Sequence, residues 1–198
     1  SVGPVNLGAG RTAAALTAGG DDTCAVLDNG TVRCWGFGGD GRLGSGVPVF
    51  SIGDDETPGS QPPVNLGAGR TAVAISAGYE HTCALLDDGT VRCWGQHGGG
   101  RLGVPGVSGN IGDDEPITSV GTVDLGAGRT ATAVDAGYEH TCALLDDGSI
   151  RCWGRSQFGQ LGYASTLTIG DDEVPGSIGP VDLGTGRTAV AVAAGVSQ

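Results

Sequence analysis

Apolar and polar residues alternate over short runs along this chain, and glycines separate the runs. In residues 79–95, YEHTCALLDDGTVRCWG, two such runs flank Asp87-Asp88-Gly89. Thr82-Cys83-Ala84-Leu85-Leu86 precedes the turn and Thr90-Val91-Arg92-Cys93-Trp94 follows it. Both flanks suit extended structure, and the turn residues suit a tight reversal, so the stretch predicts a β-hairpin. The pattern returns at 20–36 (GDDTCAVLDNGTVRCWG) and at 138–154 (YEHTCALLDDGSIRCWG). Cys24, Cys83 and Cys142 recur every 59 residues, as do Cys34, Cys93, Cys152 and Trp35, Trp94, Trp153. A fixed period of this size marks repeated supersecondary units. The units read as 1–60, 61–119 and 120–177, with a partial fourth unit at 178–198, all within one repeat domain. The third unit is one residue shorter between Trp153 and Asp171, a change that an exposed connection absorbs.

A second segment returns four times, first as VNLGAGRTAAALTAG and last as VDLGTGRTAVAVAAG. Residues 5–7 and 181–183 read as short edge strands. Residues 12–18 and 188–194 read as strands of small and β-branched residues, too short between glycines for a stable helix.

The hairpin register decides what the cysteines do. If all three turn residues form the loop, Leu86 faces Thr90 and Cys83 faces Cys93. If only Asp88-Gly89 form it, Cys83 faces Trp94 and the cysteines fall on opposite faces. The first register is adopted here, because directly opposed residues on antiparallel strands lie within disulfide reach. It predicts the bonds Cys24–Cys34, Cys83–Cys93 and Cys142–Cys152. The alternative is six buried thiols.

Composition narrows the function classes. Gly fills 40 of 198 positions without collagen periodicity, which fits many short strands with tight turns. The formal charge is −12 and all ten basic residues are Arg, so nucleic-acid binding is not expected. No apolar run reaches membrane-spanning length, so membrane insertion is not expected. No signal peptide is seen, which suggests a mature or excised segment. Paired cysteines favour an oxidising compartment, extracellular or at the cell surface.

Candidate chemistry is sparse. Gly8-Ala9-Gly10-Arg11-Thr12-Ala13 matches a loose dinucleotide fingerprint, but strand rather than helix is predicted to follow it, and it occurs four times. No catalytic constellation is present and no enzymatic role is expected. His81 and His140 share a repeat position occupied by Asp22 in the first unit and read as structural hydrogen-bonding groups. His97 is a lone loop residue. Arg11, Arg70, Arg129 and Arg187 form one recurrent series, and Arg33, Arg92 and Arg151 another. A neighbouring carboxylate is the expected partner of both. Three acidic boxes are the candidates for metal: Asp54-Asp55-Glu56, Asp113-Asp114-Glu115 and Asp171-Asp172-Glu173. Their oxygens suit a hard cation such as calcium, although they lack the spaced calcium-loop pattern. Solvated loops or partners for Arg are the other reading. No other cofactor is expected.

AGYEHTCALLDDGTVRCWG together with FGQLG at 158–162 resembles the regulator of chromosome condensation repeat, over essentially the whole chain. The resemblance implies an all-β fold of propeller blades, each a four-stranded antiparallel sheet. A full family propeller usually has seven, so about three blades here belong to a longer or assembled propeller. The cysteine pairs, IGDDE and VDLGAGRTA look like exported bacterial members. The family habit of binding proteins with loops at one propeller face implies a non-enzymatic module for protein binding or adhesion at a bacterial surface. The alternative is a structural repeat that builds a ring or filament from its own copies, a homo-oligomer.

Overall fold

The computed structural model describes residues 3–196; residues 1, 2, 197 and 198, in the first and fourth units, lie outside the described part. Ten strands are described: β1 (Ala13–Ala18), β2 (Asp22–Leu27), β3 (Val32–Phe37), β4 (Ser51–Ile52), β5 (Ala72–Ala77), β6 (His81–Leu86), β7 (Val91–Gly95), β8 (Ala131–Ala136), β9 (His140–Leu145) and β10 (Ile150–Gly154). They form three antiparallel sheets, β1-β2-β3-β4, β5-β6-β7 and β8-β9-β10, one per repeat. Each sheet is a blade, with β1, β5 or β8 as its inner strand. No helix among the described residues is long and apolar enough to cross a membrane.

The turn chemistry sets the hairpin register. The Leu86 amide donates to the Thr90 carbonyl at 2.9 Å, and the Gly89 amide to the Leu86 carbonyl at 2.9 Å. Gly89 has φ 78°, a conformation that glycine adopts without steric cost. Three residues therefore form the loop, and Cys83 faces Cys93. Cys24–Cys34, Cys83–Cys93 and Cys142–Cys152 are bonded, each with Cα atoms 4.1 Å apart.

The fourth strand departs from the sequence expectation. Only the first blade has one, and it is two residues long. In the other blades its place is taken by single bridges, Gly95 to Ile111 and Gly154 to Ile169. Ile52, Ile111 and Ile169 are buried anchors. The glycine after each turns the chain away at positive φ before a longer ladder forms.

The repeated second segment differs too. Residues 5–7 and 181–183 belong to no sheet, and residues 188–194 form no strand, whereas residues 13–18 do. In the two internal copies this segment fills core: Leu66, Val123 and Leu125 are buried. The amides of Val64, Val123 and Val181 each bond to the start of a hairpin's second strand, on the Val32, Val91 and Ile150 carbonyls. Such isolated bonds anchor the chain without making a strand.

Blades are sewn together by the residues after each hairpin. Trp94 and Trp153 are fully buried, and their indole N–H groups donate to the Arg42 and Arg101 carbonyls of the preceding unit at 3.0 Å. Thr82 and Thr141 hydroxyls donate to the same two carbonyls. A methyl group on Gly44 would stand 2.9 Å from the Trp94 ring nitrogen, and one on Gly103 2.8 Å from that of Trp153. The Arg-Leu-Gly corners thus need glycine to seat the tryptophan of the next blade.

Candidate functional site

The strand directions place one set of chain reversals on a single face. The ends of β1, β5 and β8, the starts of β2, β6 and β9, and the ends of β3, β7 and β10 all meet there. Tyr79 and Tyr138 follow β5 and β8 at equivalent positions. Their rings stack with centroids 4.3 Å apart and planes 23° apart, and both stay more than a third exposed. Gly20 holds the same place in the first unit, where a methyl group would meet a Tyr79 ring carbon at 2.9 Å. Glycine there lets the Tyr79 ring lie against the first blade. With Gly78, Gly137 and Val196 these residues border a depression of about 280 Å3.

Further out on this face, Phe37 ends β3 and packs edge-on against Phe50 at 5.6 Å. Phe50 is 82% exposed, and Phe158, in the corner after β10, is 70% exposed. Leu167 stands where Phe50 does in its own unit and is 74% exposed. All three Phe and two of the three Tyr therefore lie here. The third, Tyr163, is half-buried and accepts a bond from the Cys152 amide at 3.0 Å.

Beneath the aromatics runs an ion ladder that crosses the blades. Arg101 binds Glu80 at 3.2 Å and Glu139 at 3.1 Å. Arg42 binds Asp40 at 3.1 Å and reaches Glu80 at 4.0 Å, and Arg155 binds Glu139 at 2.8 Å. Arg42 and Arg101 are almost wholly buried, while Glu80 and Glu139 keep their outer edge in water. Sequence reading missed both arginines; their signal was the Arg-Leu-Gly recurrence at 42 and 101.

The other recurrent arginines divide. Arg11, Arg70 and Arg129 pair with the turn carboxylates Asp28, Asp87 and Asp146 on the opposite face at 3.3 Å. Among the described residues, Arg33, Arg92 and Arg151 pair with no carboxylate. Arg92 donates to the Ile117 and Val120 carbonyls, Arg33 to those of Pro58 and Gln61, and Arg151 to that of Pro175. Short 3₁₀ turns at Pro58–Ser60, Ile117–Ser119 and Pro175–Ser177 bring these carbonyls to the strand.

His81 is fully buried, and its Nε2 lies 2.8 Å from the Thr141 hydroxyl oxygen. That hydroxyl gives its proton to the Arg101 carbonyl, so Nε2–H donates and the ring is neutral. Burial first, then Arg101 and His140, push the His81 pKa down to about 3. His140 is buried at the same position. His97 lies in a loop, with Nε2 3.3 Å from the Val104 carbonyl.

Asp22 behaves differently at this position. Burial, helped by Asp21 and opposed by Arg42, pushes its pKa up to about 7. A raised carboxylate pKa favours the folded state at low pH, and this contribution is lost as pH rises from about 4 to about 7. Asp22→Asn removes the titration. The variant is expected to gain on the parent chain by roughly 1 kcal/mol per pH unit across that window. Urea midpoints of both proteins from pH 4 to pH 8 check this; a constant difference refutes it.

In each acidic box the candidate ligand atoms lie within 4.8 Å of one another. Part of each of the first two boxes also serves its own loop. Glu115 accepts the Gly112 amide at 3.0 Å, and Asp113 the Asp114 amide at 3.1 Å. Glu56 and Asp54 do the same for Gly53 and Asp55. Glu173 is pushed up to about 7, first by desolvation, then by its hydrogen bond with Asp172 and the neighbouring carboxylate charges. The Gly-rich match at 8–13 closes a tight turn, with Arg11 N–H on the Gly8 carbonyl, and strand β1 follows it.

Three propeller blades with aromatic side chains gathered at one loop-bearing face define a β-propeller repeat scaffold. The sequence places it more closely. Family models described as the regulator of chromosome condensation (RCC1) repeat match residues 72–101 and 131–160, and residues 29–85. The chain belongs to the RCC1 repeat family. It is 31% identical to the Ultraviolet-B receptor UVR8 of Arabidopsis thaliana over 145 residues, 73% of this chain and 30% of that protein. It is 33% identical to the mitochondrial RCC1 domain-containing protein RUG3 of the same plant, over 76% of this chain and 32% of the relative. The chain thus spans about a third of these relatives. Among solved structures, yeast RCC1 (Prp20) bound to Kap60 superposes with a TM-score of 0.67 at 23% identity, over 97% of this chain and 42% of the other. That likeness shows the fold.

Proposed function

We propose that this chain is a non-enzymatic protein-binding module that works outside the cell or at a bacterial cell surface, with its partner on the Tyr79–Phe50 face. One observation carries the reading: the exposed aromatics gather on that face, while the opposite face carries Arg–Asp pairs at the hairpin turns. Aromatic side chains supply large contact area at low entropic cost and are enriched at protein interfaces. The disulfides support the compartment. RCC1 repeat proteins are generally interaction modules, and the yeast relative is seen bound to a protein, Kap60.

The test is affinity capture from cell-surface extracts. Phe50→Ser with Phe158→Ser, which alters exposed groups only, is expected to cut capture of the partner at least tenfold. Arg70→Ala with Asp88→Ala, on the opposite face, is expected to leave it unchanged. Equal loss in both, or loss only in the second, rejects the assignment.

A further inference from the structure

The strip formed by Tyr79 and Tyr138 has a chemistry narrower than general stickiness. It sits beside a row of carboxylates one residue further along: Asp21, Glu80 and Glu139. Asp21 is 67% exposed at its side chain and lies 3.9 Å from Arg42, its ion-pair partner among the described residues. The guanidinium groups that balance Glu80 on the inner side are 3–4% exposed. An approaching ligand therefore meets carboxylate oxygens and aromatic rings, with the balancing positive charge set behind them. Arg155, which pairs with Glu139, is the cation of this ladder that reaches the surface, 46% exposed. The Tyr138 hydroxyl is held above its ordinary pKa by desolvation, then by Tyr79, Glu139 and Glu80, so it stays a neutral phenol beside them. The wider field has the same sign, since the chain carries −12 and each acidic box adds three carboxylates at the outer rim.

We propose that the Tyr79–Tyr138 strip seats a cationic side chain from a Lys- or Arg-bearing peptide segment of the partner protein. The reading rests on the protein-binding assignment of this face and names the chemistry it selects. A cation over the face of a Tyr ring is attracted by the ring quadrupole. The carboxylate row adds charge-assisted hydrogen bonds at its edge. The acidic rim speeds encounter without setting specificity.

The experiment is a fluorescence-anisotropy titration of the full chain with three labelled ten-residue peptides: Arg/Lys-rich, the same length with Glu in place of the basic residues, and Ser/Gly only. Binding is expected for the basic peptide alone, weakening as salt rises from 50 to 300 mM. Tyr79→Leu with Tyr138→Leu is expected to weaken it about tenfold, while Tyr79→Phe with Tyr138→Phe stays within about threefold, because the rings carry the attraction. Asp54→Asn with Asp113→Asn, at the rim, is expected to change the salt dependence more than the affinity at high salt. Far-ultraviolet circular dichroism confirms that each variant folds. Equal binding by the parent and the Leu pair overturns the proposal, since the peptide is then held by diffuse charge. Preference for either other peptide overturns it as well. If surface capture still depends on Phe50 and Phe158 while the basic peptide fails, the cation seat falls and the protein-binding face stands.

Discussion

Trp94→Ala is expected to lower stability by about 3–5 kcal/mol, the largest loss of any single substitution considered for this chain. Trp94 is fully buried between the first and second blades. Its truncation removes a large apolar surface, opens a cavity and breaks the indole bond to the Arg42 carbonyl. That carbonyl keeps only the longer bond from the Thr82 hydroxyl, at 3.3 Å. Rigid neighbours prevent collapse into the space, because the Arg-Leu-Gly corner at Gly44 is fitted to the ring edge. The same substitution at Trp35 is a built-in control. Trp35 has the same place in its hairpin, yet it is only half-buried and no Arg-Leu-Gly corner covers it among the described residues. Trp35→Ala is expected to cost about 1–2 kcal/mol. Denaturant unfolding of the two variants checks both values. Similar losses would show that the tryptophans stabilise their own hairpins and that packing between blades contributes little.

Removal of the Cys83–Cys93 bond by paired alanine substitutions is expected to cost about 2.5–3 kcal/mol. In the chain-entropy account, the cross-link limits the unfolded ensemble by closing a loop, here with a sequence separation of 10. The sulfurs also lie in the core, with Cys83 fully buried and Cys93 nearly so. All three bonds close loops of the same separation, so the entropic part is the same for each. Differences among the three paired variants then report packing. The middle pair should cost most, because its blade is covered on both sides. Urea midpoints with and without a reductant measure this. A paired variant as stable as the parent would mean that the hairpin holds its register without the bond.

The two expectations separate what could be read locally from what could not. The hairpin is local. Asp87-Asp88-Gly89 leaves the chain a three-residue reversal, and that reversal puts Cys83 opposite Cys93 within the same 17 residues. The repeat period and the family resemblance then multiply one hairpin into blades. The partners of Arg11, Arg70 and Arg129 were legible for a similar reason, since the Arg and the turn Asp belong to one unit. Contacts between units were not legible. Arg42 and Arg101 look like surface residues in a glycine-rich passage, yet they are buried because the next blade closes over them. Arg92 was expected to find a carboxylate and instead caps carbonyls that a 3₁₀ turn carries to it. Residues 188–194 have the composition of β1 but no paired hairpin strand, so composition alone did not make them a strand. The candidate face has the same origin. Tyr79 and Tyr138 are 59 residues apart, and no local pattern announces that their rings stack; that follows from placing two blades side by side. The sequence determined each blade by itself, because turn geometry and β-pairing act over a few residues. The tertiary structure decided which charges are buried and which aromatics meet, because burial and stacking depend on the neighbour across the blade boundary.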